Sequence, residues 1–598
     1  MASRKRSAAR PQPAAVARAT PPPAVAPAAP AGRTALRIFF ALFVLYACNA
    51  RMLAPGDSIP TRRLPFSLLR EGNLNLDEFS WEMSPKGRLP YYVHPANGHV
   101  YSVSTFATAV VIAPLYVLPA WWLARAGVPY DDVRARVVEV VMEHVSAAML
   151  AALSAALLFL LLARLTTRGW ALALTLLYAL GTSTWSIASQ ALWPHALSEL
   201  TLVGLCLGLL ARTPTRAQLV GAGLIAALMV ANRPQMLAFA ALATGFVAVH
   251  HRRHLLAFVA LPTLLGVGLA AYNRAIFASL TGGYGGLGVL RGAPGQGLAG
   301  MLFSPNRGLL VYTPIMAFAL WGGVRLWRVA GVPPWLRWLS VGVLAHVLVH
   351  ASFRAWWGGY TYGPRYFTDV LPALTIFLVY GLVPYCRQRA VFALAVALAM
   401  WGIGVQAIGV YAADDSWNRT PQTLGRSLQR LWDWNDLQIA RAARDGFRGG
   451  ELAAVMLDAF TDSQAARLVP LEPTDLASTI DVPDLPETVP AGSRMRLTAR
   501  IVNGGAQAWP AFNGEGVISA RNLVYLMVRW FDGERMVDGD VLPLPENLAP
   551  GEALDMALPL AAPKQPGIYT LEVRVTQALD GRRGVIGPDA LRREIRIE

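Results

Sequence analysis

Between residues 36 and 411 the chain is a succession of apolar runs of membrane-crossing length, separated by short loops that carry arginine. The runs fall near 36–53, 140–163, 169–187, 192–211, 217–232, 235–250, 254–273, 309–326, 338–353, 366–384 and 390–411. They predict a polytopic α-helical membrane protein of about eleven spans. One more apolar stretch, 101–124, is interrupted at Pro114 and Pro119. Reading it as a re-entrant or interfacial hairpin puts Arg164/Arg168, Arg212/Arg216, Arg252/Arg253, Arg325/Arg328 and Arg387/Arg389 on a single side. The positive-inside rule makes that side the cytoplasm. An odd number of crossings then leaves the N-terminus inside and the C-terminus outside.

Past residue 412 the pattern changes. Residues 412–486 are polar with helical patches such as Leu424–Arg441. From 487 onward polar and apolar positions alternate, predicting strands at Arg494–Val502, Leu523–Phe531, Ala553–Leu560, Gly567–Thr576 and Leu591–Ile597. Gly-containing turns such as Asn503-Gly504-Gly505 and Asp532-Gly533 separate them. Short strands at this spacing indicate an all-β, immunoglobulin-like sandwich. The expected plan is a disordered cytoplasmic tail (1–34), a membrane domain (35–411) whose first outer loop is 54–100, an outer helical linker (412–486) and an outer β-sandwich (487–598).

Composition agrees with that division. Hydrophobic residues make up 54% of the 598 and charged residues only 15%, where a soluble protein carries nearer a quarter charged. The net charge of +16 raises the possibility of nucleic acid, but the excess sits in the Ala/Pro-rich tail and the short loops, so it reads as topology. The three cysteines, Cys48, Cys206 and Cys386, lie far apart and form neither a metal spacing nor a disulfide framework.

Charge at mid-bilayer costs roughly 2.5–3.5 kcal/mol on insertion scales, so ionisable residues at span ends invite a functional reading. Asp57 follows the first span in Pro55-Gly56-Asp57-Ser58. It can shape a turn or serve as a carboxylate base facing a membrane-embedded pocket. Asp77 and Glu78 form a second acidic pair, structural or else with a metal or acceptor role. Arg233 lies in Asn232-Arg233-Pro234 between two short spans, and Arg274 where the next span emerges. Arg365 closes Trp356-Trp357-Gly358-Gly359-Tyr360-Thr361-Tyr362-Gly363-Pro364-Arg365-Tyr366. Guanidinium groups pair bidentately with phosphate, whereas snorkelling in an aromatic belt accounts for any one of them alone. His195, after Trp193-Pro194, and Glu199, one turn later, share a helix face; an interfacial hydrogen bond suits them better than metal.

Taken in order, these features resemble the bacterial GT-C-fold glycosyltransferases. They are most similar to the superfamily of protein mannosyltransferases and lipid A aminoarabinose transferases. The resemblance covers roughly 36–440, including Leu431-Trp432-Asp433-Trp434 before the sandwich. It implies a polyprenyl-phosphate-sugar donor, a lipid, glycan or protein acceptor, and inverting transfer at the outer face of a bacterial inner membrane. By position Asp57 is the catalytic residue, and Arg233, Arg274, Arg365, Tyr362, His195, Asp77 and Glu78 are the substrate-binding set. The first loop holds no Asp-x-Asp motif, so no metal ligands are assigned, although a divalent metal remains compatible. A transporter or flippase of a lipid-linked substrate is the rival reading, favoured by broken spans; a membrane scaffold displaying the sandwich is a third.

Overall fold

The computed structural model describes residues 29–49, 55–82, 90–130, 132–211, 213–284, 290–413, 416–420, 422–446, 471–510, 524–545, 547–577 and 585–598. The expected tail lies outside the described residues as far as position 28. Helix α1, Ala29–Ala47, begins within the stretch read as tail, with Pro30 tolerated because the first helical N–H groups have no partner to lose.

The first loop holds α2 (Ile59–Phe66) and a hairpin of β1 (Val93–Ala96) with β2 (His99–Ser102). Helices α3 (Ala107–Arg125), α4 (Val133–Leu162), α5 (Arg168–Leu180), α6 (His195–Leu209), α7 (Arg216–Asn232) and α8 (Leu237–His250) follow. Next come α9 (Leu255–Phe277), α10 (Pro294–Phe303), α11 (Leu309–Tyr312), α12 (Met316–Arg325), α13 (Pro334–Ala351), α14 (Leu371–Gly381) and α15 (Arg389–Tyr411). Among the described residues, five helical stretches are long and apolar enough to cross a membrane: Ala107–Arg125, Arg134–Leu162, Arg252–Phe277, Arg365–Tyr385 and Arg389–Tyr411. The apolar helices between them are shorter. Large side chains on α9, among them Leu256, Leu264 and Val267, are 80%, 68% and 62% exposed, an outward apolar face that suits hydrocarbon rather than water.

The segment expected to fold back at Pro114 and Pro119 is instead one unbroken helix, α3. Each proline removes one backbone donor, a loss that neighbouring helices make tolerable at membrane depth. The face bearing Ala109, Ile112, Tyr116, Ala120 and Leu123 is buried and holds the helix together across both prolines. Elsewhere the packing depends on small residues. Along α4, Ala147, Ala148, Ala151, Ala152, Ala155 and Ala156 are all buried, so neighbouring backbones approach closely.

The polar linker does more than connect. Arg307, 1% exposed, donates from Nη1 to Gln438 Oε1 at 2.6 Å and from Nη2 to Asn418 Oδ1 at 2.7 Å. Gln438 opens the short helix Gln438–Asp445, and Asn306 Nδ2 donates to the Arg430 carbonyl at 2.8 Å. The described residues of 416–445 therefore complete the helical domain. A chain ending at Gly446 is expected to elute as a folded species in detergent. One ending at Ala412 should aggregate, because each hydrogen bond lost by a buried charged group costs about 1.5–3 kcal/mol. Equal elution of the two would contradict this boundary.

The C-terminal region is β-rich, with two sheets around one apolar core that includes Ile501, Trp509, Leu526, Leu558 and Val573. The strands are β3 (Ser478–Asp481), β4 (Thr488–Val489), β5 (Arg494–Asn503), β6 (Val524–Asp532), β7 (Arg535–Pro543), β8 (Ala553–Ala561), β9 (Gly567–Gln577) and β10 (Val585–Ile597). One sheet runs β4-β10-β9-β6-β7 and the other β3-β5-β8. The period-2 pattern places Leu554, Met556, Leu558 and Leu560 of β8 inward.

Candidate functional site

Four of the charged or polar residues singled out in the sequence meet at one place. His195, the first residue of α6, is fully buried, and its Nδ1 lies 2.8 Å from Asp369 Oδ1. Arg365 donates from Nε to His195 Nε2 at 3.0 Å and from Nη1 to the Gly358 carbonyl at 3.2 Å. Its Nη2 reaches Asp57 Oδ2 at 2.9 Å. Arg233 sets Nε 3.0 Å from Asp369 Oδ2 and donates from Nη2 to His350 Nε2 at 3.2 Å. A continuous polar line thus runs from the loop carboxylate Asp57 through Arg365 and His195 to Asp369, Arg233 and His350. Asp57 and Asp369 offset the charges of Arg233 and Arg365.

Local sequence explains these placements. Pro234 disfavours helical geometry for the residue before it. Arg233 accordingly takes φ −150°, ψ 105° and ends α7, which turns it off the helix path. Asn232 locks that break, donating from Nδ2 to the Pro194 carbonyl at 2.8 Å and accepting from Thr108 Oγ1 at 2.6 Å. The Gly/aromatic motif doubles back on itself. Gly363 has φ +69°, and a β-carbon there would sit 2.7 Å from Tyr312, so only glycine fits. Arg365 then lies over the Trp193 ring, 4.9 Å from its centroid. Below Asp57, α2 is pinned to α4 by buried ion pairs: Arg62 Nη1 to Glu143 Oε2 at 2.8 Å and Arg63 Nε to Glu139 Oε2 at 3.0 Å.

Asp57 is the accessible member, its side chain 37% exposed against 13% for Arg365. Tyr91 donates its hydroxyl to Asp57 Oδ1 at 3.0 Å. Burial raises the Asp57 carboxyl, but the charge and hydrogen bond of Arg365, joined by Tyr91, outweigh it and hold the group below the ordinary carboxylate range. Burial and the adjacent Asp57 charge push the Tyr91 hydroxyl up. It therefore stays a donor at neutral pH. A depressed folded value means the ion pair is intact above about pH 4 and is lost as pH falls through the lowered value. Amides of 55–66 should therefore exchange faster as pH drops below about 4 in the wild type. After correction for intrinsic exchange, Asp57→Asn should lack that step; a step of equal size in both proteins would remove Asp57 as its origin.

The remaining residues of the expected set lie apart. Arg274 is exposed in the last turn of α9, and among the described residues no hydrogen bond or ion pair joins it to the cluster. Tyr362 is buried beside Tyr312 and donates to the Val405 carbonyl at 2.9 Å. Asp77 accepts from the Val100 amide at 2.8 Å and pairs with His99, which ties its turn to the hairpin. Glu78 accepts from Ser67, and burial raises its carboxyl. Glu199 is fully buried rather than interfacial and accepts from Thr184 Oγ1 at 2.7 Å.

Asp369, His346, His350 and Tyr91 join the site without having been singled out. Asp369 is a carboxylate at the head of an apolar helix, and His346 and His350 stand four apart on α13; both patterns were readable as costly at membrane depth. His346, His350 and Asp369 each bring one ligand atom to within 4.8 Å of the others, close enough for three ligands of a divalent metal. The guanidinium of Arg233 already engages Asp369 and His350, so a metal there must displace it.

Neither a protein-family model nor a curated protein matches the chain. Among solved structures, Spo0M, a sporulation control protein from Bacillus subtilis, matches at 13% identity and TM-score 0.14, covering 20% of this chain and 49% of its own. The β-glucosidase EmGH1 from Erythrobacter marinus matches at 15% identity and TM-score 0.12, over 20% of this chain and 15% of its own. The alkylpurine DNA glycosylase AlkC from Pseudomonas fluorescens, bound to DNA, matches at 9% identity and TM-score 0.16, over 75% of this chain and 97% of its own. The chain thus spans under half the length of the first two, and none of the three TM-scores establishes a shared architecture.

Proposed function

We propose that the chain is a membrane glycosyltransferase that moves a sugar from a polyprenyl-phosphate-linked donor to an acceptor hydroxyl, with inversion. The observation that supports this best is the juxtaposition of an accessible carboxylate, Asp57, with the guanidinium of Arg365, which is braced from behind by His195. In this reading the phosphate of the donor takes the Nη2 edge of Arg365, in competition with Asp57. Asp57 accepts the proton of the acceptor hydroxyl as its oxygen attacks the anomeric carbon. The bond from that carbon to the phosphate oxygen breaks, and the lipid phosphate leaves with charge that Arg365 and Arg233 stabilise.

The finer architecture belongs to the same proposal: a GT-C-like bundle of about eleven spans, its site on the outer face, and an immunoglobulin-like sandwich on that side. Sidedness depends on α3. As an interfacial helix it keeps the basic loops cytoplasmic, and as a crossing it reverses those after it. The test is incubation of purified protein with a polyprenyl-phosphate sugar, following cleavage of the sugar–phosphate bond. A flippase would move the lipid between leaflets of a vesicle and leave that bond intact, which would sink the enzyme reading.

A further inference from the structure

We propose that His195 and Asp369 are positioning residues, which fix the orientation of Arg365 by fixing a single imidazole tautomer. The proposal rests on the donor-phosphate reading of Arg365 given above. Arg365 has only donors to offer, so its Nε at 3.0 Å requires a lone pair on His195 Nε2. The ring proton must then be on Nδ1, where Asp369 Oδ1 accepts it at 2.8 Å. Arg233 Nη1 lies 3.2 and 3.4 Å from the two ring nitrogens, a near-equal spacing that singles out neither of them as acceptor. Asp369 is itself held by Arg233 Nε at 3.0 Å, and both Asp369 and His195 are fully buried. The tautomer is thereby set by the protein core, not by solvent.

The consequence falls on the geometry of Arg365. With Nε held by His195 and Nη1 by the Gly358 carbonyl, the guanidinium plane is fixed and its Nη2 edge faces the accessible Asp57. An arginine free to rotate would offer charge without direction, whereas this one offers a planar fork aimed at the loop. Neither His195 nor Asp369 needs to touch substrate.

Two measurements on the full-length protein in detergent decide the matter. The first is the ring ¹⁵N spectrum of His195, identified by its loss in a His195 variant. It should report a protonated Nδ1 and a bare Nε2, and a protonated Nε2 overturns the proposal whatever the protein's activity. The second is binding of a short-chain polyprenyl phosphate to His195→Gln and His195→Asn, matched for thermal stability. The amide of Gln reaches the place of Nε2 and can accept from Arg365, while that of Asn reaches only the place of Nδ1. Gln should bind within a few-fold of wild type, and Asn should lose about 10-fold or more, the worth of one hydrogen bond to a charged group. Equal loss in both overturns the positioning role. Unchanged binding in both, with the tautomer as stated, overturns the donor-phosphate reading instead.

Discussion

Asp57→Asn is expected to lower turnover by about 10²-fold or more while leaving the protein folded. A turn-forming aspartate would tolerate the change, since asparagine serves nearly as well in turns and caps. The named partners of Asp57, however, are side chains, Tyr91 and Arg365. An asparagine can still accept from Tyr91, but it cannot take up a proton from an acceptor hydroxyl. Because the substitution also removes the ion pair with Arg365, the assay needs matched thermal stability and a parallel measurement of lipid-phosphate binding. Binding should hold or strengthen, as Arg365 loses a competing anion, while transfer collapses. Near-native transfer by the asparagine protein would remove Asp57 from the site and restore weight to the transporter reading.

Arg365→Lys should weaken binding of a polyprenyl phosphate by roughly 10-fold or more, about 1.5–3 kcal/mol for each charged hydrogen bond lost. Arg365 uses three nitrogens on three partners, His195, Gly358 and Asp57. A lysine ammonium keeps the charge but cannot span those directions from one fixed plane. If Arg365 were an interfacial anchor, lysine would snorkel equally well and binding would not change. Equal affinity, with normal expression, would return the residue to that structural role.

Much of this site was legible because membrane insertion makes charge expensive. Arg233, Arg365, His195 and Asp57 stand out at the ends of apolar runs, and the fold gathers them. Asp369, His346 and His350 carry the same cost but were read as part of their spans. Their neighbours are mostly apolar, and hydropathy averages a lone carboxylate away. Tyr91 belongs to the first loop, where sequence offers no period to say which residue turns inward. Arg274 looked equivalent to Arg233, yet no proline follows it to bend it off its helix. The β region was the most legible part, since period-2 burial gave β5, β6, β8, β9 and much of β10 directly. Strand β7 was missed because Asp538-Gly539-Asp540 reads as a breaker. Among the described residues it pairs only with β6, and an edge strand with one neighbour tolerates such residues.

Two of the side chains that enclose Arg307, Asn418 and Gln438, lie far along the chain from it. Translation runs from the N-terminus, so the ribosome delivers this arginine long before either amide that will hold it. The upstream helices can enter the membrane one after another, but the bundle cannot close around Arg307 until the polar segment has followed. Synthesis therefore leaves an interval in which a nearly complete protein is still unsealed and open to proteases. A ribosome stalled or terminated between residues 412 and 438 would release a product destined for degradation, though helices α1 to α15 are all present. Maturation of this protein is thus timed by its hydrophilic linker, and a nonsense mutation there is expected to act as a null.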